Sequence, residues 1–367
     1  MAVQILKDCK LYVGGYDYSG DMNQLETRSE RESKDITVFG CDTKISQAGL
    51  MQTTINHVGL WRSAAGAPDP VLTAMLDTSG EVITVCPTDG ADGEPALSCT
   101  GMASRYAPKG QIGEIFAFEF AAEGTSRLVR GQVFGTGTKT ATGTGTVYQL
   151  GTAATGLLTL SGNAVAAETV TVGATEYTWV DALTTVPAPI PNEVKVGTLP
   201  ADSRNNLVAA INAGTGAGDV YGEGTTANAS ATAAASGANM ALTARRKGTS
   251  GNTVDTTETM TAAAFGAATL TGGVDWLTTS HYLYAALHVI SRSGTSPTID
   301  VLIQSDDNAA FSSPTTRVTF TQQSAIGSEW GTRLVGPITD DYWRASWTIG
   351  GSNTPTFGIV VTAGVAT

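Results

Sequence analysis

The chain has 367 residues, 41% of them apolar, with 21 basic against 33 acidic side chains and a formal net charge of −12. That apolar share excludes global disorder, and the length allows two domains of ordinary size. The acidic balance excludes a protein that wraps nucleic acid, because phosphate binding needs clustered Lys and Arg. It suits a surface that DNA slides past without adhering.

Many small and β-branched residues with 43 glycines predict a mainly β protein with frequent turns. CKLYV (Cys9 to Val13) reads as a first strand. The next 22 residues, up to Ile36, are polar and read as a long loop, well beyond an ordinary hairpin connection. That stretch ends in ETRSERESKD, where seven of ten residues are charged. Glu26, Arg28, Glu30, Glu32 and Lys34 fall on every second position, so a strand would present all five on one face. SQAGLMQTTINHVGLW predicts a helix, from the spacing of Leu50, Ile55 and Val58. EVITVC (Glu81 to Cys86), EIFAFEF (Glu114 to Phe120) and SRLVRGQVF (Ser126 to Phe134) read as strands.

A second zone opens with GTGTKTATGTGT (Gly135 to Thr146), read as a flexible linker. It contains no cysteine and no histidine. GLLTLSG, Thr169 to Val172 and Tyr177 to Val180 predict strands. SRNNLVAAINAG predicts a short helix capped by Asp202 or Ser203, with Leu207, Val208 and Ile211 on one face and Gly214 as its stop. MALTARR resumes as a strand and GTSGN as a turn, so the zone reads as a small α+β domain. From Trp276 onward YLYAALHVISR, TIDVLIQSDD, RVTFTQQ, DYWRASWTIGG and TFGIVVTAGV give five strand candidates, as in a sandwich or barrel. The simplest organisation is one β-sandwich or barrel core, residues 1–134 and 276–367, interrupted by an α+β domain at 135–275.

Catalytic patterns are missing. HExxH, GxxxxGK[ST], GxSxG and GxGxxG do not occur. Of the three histidines, His57, His281 and His288, the last two lie seven apart on an expected strand, project to opposite faces and each read as ordinary hydrogen-bonded histidines. Acids cluster at Asp89, Asp92 and Glu94, at Asp306 and Asp307, and at Asp340 and Asp341. Calcium favours such oxygen-rich turns, but turns themselves require Asp, Asn and Gly. Trp343 and Trp347 share a strand face, where core packing competes with stacking on sugar. Cys9, Cys41, Cys86 and Cys99 lack metal-site spacing and read as buried thiols of a reducing compartment. MAVQILKDCKLY carries no signal-peptide core, and no apolar run reaches membrane-spanning length. The expectation is a protein that is not an enzyme, with no cofactor and no metal.

Two stretches carry a resemblance. LYAALHVISRSGTSPTIDVLIQSDDNAAFSSPTTRVTF with GPITDDYWRASWTIGG resembles the closing part of phage tail-tube proteins. TLSGNAVAAETVTVGATEYTWV with NNLVAAINAG and ALTARRKGTSGN is similar to a small module that recurs inside phage virion proteins. The resemblance implies a tail-tube-like core assembling into stacked rings, commonly hexameric, around the tape measure protein, with DNA later passing the lumen without specific binding. It implies a virion location in the tail, assembly in the host cytoplasm, contact with other tail proteins and none with a membrane. Because the core is large for one tube domain, a duplicated core in trimeric rings is also open. In that family a long early loop reaches a neighbouring subunit, which makes Glu26, Arg28, Glu30, Arg31, Glu32 and Lys34 the candidate interface residues. A solvated loop is the plain alternative for the run. For the whole chain the rivals are a capsid decoration or fibre-type protein that binds carbohydrate, and an exported adhesin.

Overall fold

A computed structural model describes residues 8–39, 41–64 and 66–367, and the protein is mainly β. The chain begins with β1 (Lys10–Val13), β2 (Tyr16–Asp17), β3 (Met22–Asp35) and β4 (Ser46–Leu60). Then come α1 (Pro68–Ala74), β5 (Glu81–Cys86), β6 (Pro95–Lys109), β7 (Ala117–Gly124) and β8 (Val129–Lys139). The expected long loop is therefore β2 and β3. The expected helix over Ser46–Trp61 is β4. Its second half buries Thr53, Ile55, His57 and Gly59 at alternate positions. With β-branched Thr53, Thr54, Ile55 and Val58 together, the period of two prevails over the helical spacing. The one α-helix of this region forms where Pro68 can open it, with Asp69 in the first turn.

The Gly/Thr-rich stretch is not a linker. β8 runs through it to Lys139, and Gly135 to Lys139 pair with Val361 to Phe357. β9 (Gly143–Thr144) and β10 (Tyr148–Gln149) continue the pairing, opposite Trp347, Ser346, Trp343 and Tyr342. Threonines suit the pleat, and the glycines let backbone lie on Trp347, whose indole N–H donates to Ala141 O at 2.9 Å. A Cβ on Gly145 would meet Phe134 O at 2.7 Å. The main sheet thus keeps the chain to Gln149, fifteen residues past the boundary read from composition.

Residues 153–265 form two further four-stranded sheets. Their strands are β11 (Ala153–Leu160), β12 (Thr169–Val172), β13 (Thr175–Val180) and β14 (Glu193–Lys195), then β15 (Ala231–Ser236), β16 (Asn239–Lys247), β17 (Thr256–Glu258) and β18 (Ala263–Phe265). The sheet orders are β15-β16-β11-β18 and β14-β13-β12-β17. Helix α2 (Pro200–Asn212) lies between β14 and β15 in the chain. It starts earlier than its polar residues suggest, on Pro200, and the Asp202 carboxylate reaches back to the Leu199 N–H. Leu207 and Ile211 pack with Leu158, Val170, Trp179 and Met240 in a core that this region builds from its own residues.

The last region holds β19 (Tyr282–Asp306), β20 (Thr315–Thr319), β21 (Gly327–Trp330), β22 (Leu334–Val335) and β23 (Tyr342–Ala366). Four of the five expected strands merge in pairs, since YLYAALHVISR and TIDVLIQSDD form one 25-residue strand, as do DYWRASWTIGG and TFGIVVTAGV. The turn-like SGTSP and GGSNTP between them are bulges. There Gly294, Ser296, Gly351, Asn353 and Thr354 have positive φ, and the ladder shifts register three times between Val289 and Thr298. Leu283 and Leu287 before the bulge share one core with Ile299 and Val301 after it, so the pair bends over its own apolar face.

Fifteen strands form one sheet of order β2-β1-β5-β6-β8-β23-β19-β20, with β7, β4 and β3 branching from β6. It encloses two main cores, one around Leu11, Ile83, Phe118 and Phe120 and one around Phe134, Trp343 and Phe357. His288 joins them. Its Nδ1–H donates to Gly14 O at 2.6 Å, and Nε2 accepts from Thr84 Oγ1 at 2.8 Å. Ser98 and Thr362 extend that hydroxyl chain at 3.0 Å per step.

Candidate self-association surface

Among the described residues β3 pairs only with β4, and β4 pairs with β7 only from Thr54 to Leu60. The remaining eight residues of β4, with their partners on β3, leave the sheet as a two-stranded ribbon, roughly 25 Å long at about 3.3 Å per residue. From Arg28 to Asp35 every β3 residue is exposed. A solvent-exposed strand edge of this kind is a template for another chain unless charge protects it.

The register fixes the faces. Arg31 lies opposite Met51 and Ser33 opposite Ala48, so the extra residue of the bulge is on β4 and β3 keeps its alternation. Glu26, Arg28, Glu30, Glu32 and Lys34 share one face as the spacing predicts, and Arg31 projects from the other. Arg28 pairs with Glu30 at 2.5 Å, and Lys34 pairs with Glu32. Both pairs are exposed, so each contributes about 0–1 kcal/mol to the fold. At the bulge Glu30, Arg31, Glu32, Leu50, Met51 and Gln52 line an open concavity of about 640 Å³. Leu50 is exposed there, as are Ile36, Val38, Phe39 and Ile45 at the ribbon tip. The sequence reading placed Leu50 on a helix and gave no role to Ile36, Val38 and Phe39, although these directly follow the charge run and were the available signal. Asp35 closes the tip by accepting from the Thr37 hydroxyl and N–H, 2.6 and 2.9 Å away, and from Lys44. These contacts, the Thr37 hydroxyl first, hold its carboxyl below the usual range.

Most of the other candidates are occupied internally. Trp343 and Trp347 are core residues, and Trp343 Nε1 donates to Asp340 O. Asp92 accepts from Thr136 N, and Asp306 accepts from Asn308 N and Ser313 N. Asp340 pairs with Arg317 at 2.8 Å. Asp341, its side chain 1% exposed, takes Arg246 at 2.8 Å and Gln149 at 2.9 Å, which ties the inserted region to the main sheet. Cys9, Cys86 and Cys99 are buried, and burial pushes the Cys86 and Cys99 thiols up to about 12. Cys41 departs from the expectation and lies exposed on the ribbon. His57 is 2% exposed between Phe118 and Phe120, and among the described residues neither ring nitrogen has a hydrogen-bond partner. Among the described residues no helix is long and apolar enough to cross a membrane.

No family model matches the chain, and no curated protein matches it. Among solved structures it is similar to a chain of the virion of a native gene transfer agent particle, at 15% identity and a TM-score of 0.28, over 34% of this chain and 97% of that one. A chain of the tail of an empty gene transfer agent particle, of C6 symmetry, gives 14% and 0.28 over 34% of this chain and 97% of its own. The SPP1 Dit protein, described as a hub adsorption apparatus of phages infecting Gram-positive bacteria, gives 8% and 0.28 over 98% of this chain and 100% of its own. Likenesses this distant carry no argument about what the chain does.

Proposed function

We propose that the protein is a structural component of a phage tail, without enzymatic activity, that polymerises through the β3–β4 ribbon into stacked rings forming a tube. The observation that carries this reading is the ribbon itself. The outer half of β3, Arg28 to Asp35, is exposed, carries a face of alternating charge, and among the described residues pairs with β4 alone. Charge of mixed sign and fixed register selects the orientation of a partner more than it adds affinity. The net charge of −12 then suits a lumen that DNA passes. The resemblance to tail-tube proteins favours a ring of six chains. The two cores of the main sheet favour a second arrangement, three chains each supplying two units. A carbohydrate-binding fibre or decoration protein loses its chief support, because Trp343 and Trp347 are buried.

Reversing Arg28, Arg31 and Lys34 together to Glu tests the reading. The variant is expected to remain a folded monomer by circular dichroism and sedimentation, while the native chain forms rings or tubes in negative-stain micrographs. Normal tubes from the variant would refute it.

A further inference from the structure

The ribbon leaves one end of a four-stranded unit, β3-β4-β7-β6, and a second apolar projection leaves the opposite end. β4 meets β7 from Thr54, opposite Glu123, to Leu60, opposite Ala117. β6 meets β7 until Lys109 faces Ala117. The β6–β7 turn, GQIGEIF, therefore lies beyond the Leu60 end, and the ribbon tip lies beyond the Thr54 end. The turn carries Ile112, Ile115 and Phe116, all exposed, beside exposed Leu60. Phe116 is braced edge-on by Trp61 at 5.2 Å, and Trp61 by Asp69 at 3.0 Å. Scattered apolar side chains on a surface need no explanation, but two clusters at the two ends of one sheet do.

We infer that the ribbon tip of one copy seats on the β6–β7 turn of the next copy, so that chains stack head to tail along the strand direction. This deepens the tube reading, on which it rests, by naming the axial contact between rings. Charge disfavours like-to-like contact, since the tip carries exposed Asp35 and Asp42 and the turn carries Glu114. The turn carries Glu114, which has no ion pair among the described residues, whereas Lys109 is already held by Glu119. The ribbon tip carries Lys44, which shares Asp35 at 3.3 Å and is largely exposed. Head-to-tail stacking sets Lys44 toward Glu114, and turn-to-turn contact would set Glu114 against Glu114. Because the two surfaces differ, the contact is heterologous, and because it repeats along the strand direction rather than around an axis it builds an open filament.

The exposed Cys41 at the tip supplies a probe. Ile112→Cys treated with a short bis-maleimide is expected to give a ladder of dimers, trimers and higher products, and Cys41→Ser in the same background should abolish it. Dimers that form equally without the Ile112 change would mean tip-to-tip contact and overturn the inference. In parallel, Lys44→Glu and Glu114→Lys should each leave rings but lose tubes, with tubes restored in the double variant. A native chain that stays monomeric would sink the tube reading itself. Native tubes without the ladder would sink only the head-to-tail contact.

Discussion

Two pairs of long antiparallel strands in this molecule meet opposite fates. β19 and β23 pair over 25 residues, and the positive φ of Gly294, Ser296, Gly351, Asn353 and Thr354 lets them turn a corner and cover their own apolar face. β3 and β4 carry no residue at positive φ within their pairing, and their outer halves bury no apolar face within the chain, leaving Leu50 and Met51 in solvent. The first pair is bent by burial, and the second is extended by its absence. Strand length alone therefore says little about role. What separates a core element from an assembly element is whether the period of two carries side chains that must leave water.

The largest expected contrast comes from truncating one residue in the bent pair. Trp343 is fully buried, lies edge-on to Trp276 at 5.0 Å, and faces β10 across the sheet. Trp343→Ala should destabilise the monomer by about 3–5 kcal/mol through lost burial and the cavity left behind. Urea unfolding followed by tryptophan fluorescence would measure it. A loss below about 1 kcal/mol would mean that β19 and β23 do not close over this core.

Much of this division is visible in the residues. The alternation of Phe118 and Phe120 survives because one buried face imposes it, whereas EVITVC is buried on both faces from Val82 to Cys86 and Phe116 lies exposed outside the strand. The faces of Glu26 to Lys34 follow from spacing, since no bulge on β3 disturbs them. Three things are not legible. SGTSP and GGSNTP have turn composition, and nothing local says that the ladder resumes on the other side. GTGTKTATGTGT looks like linker because its packing partner, Trp347, is two hundred residues away. The helical reading of β4 fails because it rests on Leu50, Ile55 and Val58, whereas pairing with β3 and β7 buries the face of Thr53, Ile55, His57 and Gly59.

Two histidines extend the contrast to acid. His288 on β19 and His57 at the root of the ribbon are both pushed down to about 4 by burial. In the unfolded chain a histidine titrates near 6.5, so below that pH the unfolded state binds the extra proton. Stability from each is full above about pH 6.5 and is lost as the pH falls toward 4, roughly 3 kcal/mol per site. The sites differ at neutral pH. His57→Leu leaves no group unpaired and should be nearly neutral at pH 7, while flattening the acid loss. His288→Leu strands Gly14 O and the Thr84 hydroxyl, and should cost about 1–3 kcal/mol at pH 7. Unfolding midpoints of both variants at pH 7 and pH 5 would check this, and equal costs at pH 7 would dissolve the distinction.

The smallest effect is the sharpest test of the ribbon. Leu50 is 83% exposed in the concavity beside Glu30, Arg31 and Glu32. Substitution of an exposed residue that packs on nothing changes stability by no more than about 0.5 kcal/mol. Leu50→Ser should therefore leave the urea midpoint of the monomer where it is. The same change removes apolar surface that gains only when a second chain covers it, so it should weaken self-association measured by sedimentation. A destabilised monomer would mean that Leu50 is already covered within the chain, with the ribbon folded back on the sheet. An unchanged monomer with weaker association is what a surface held open for another subunit requires.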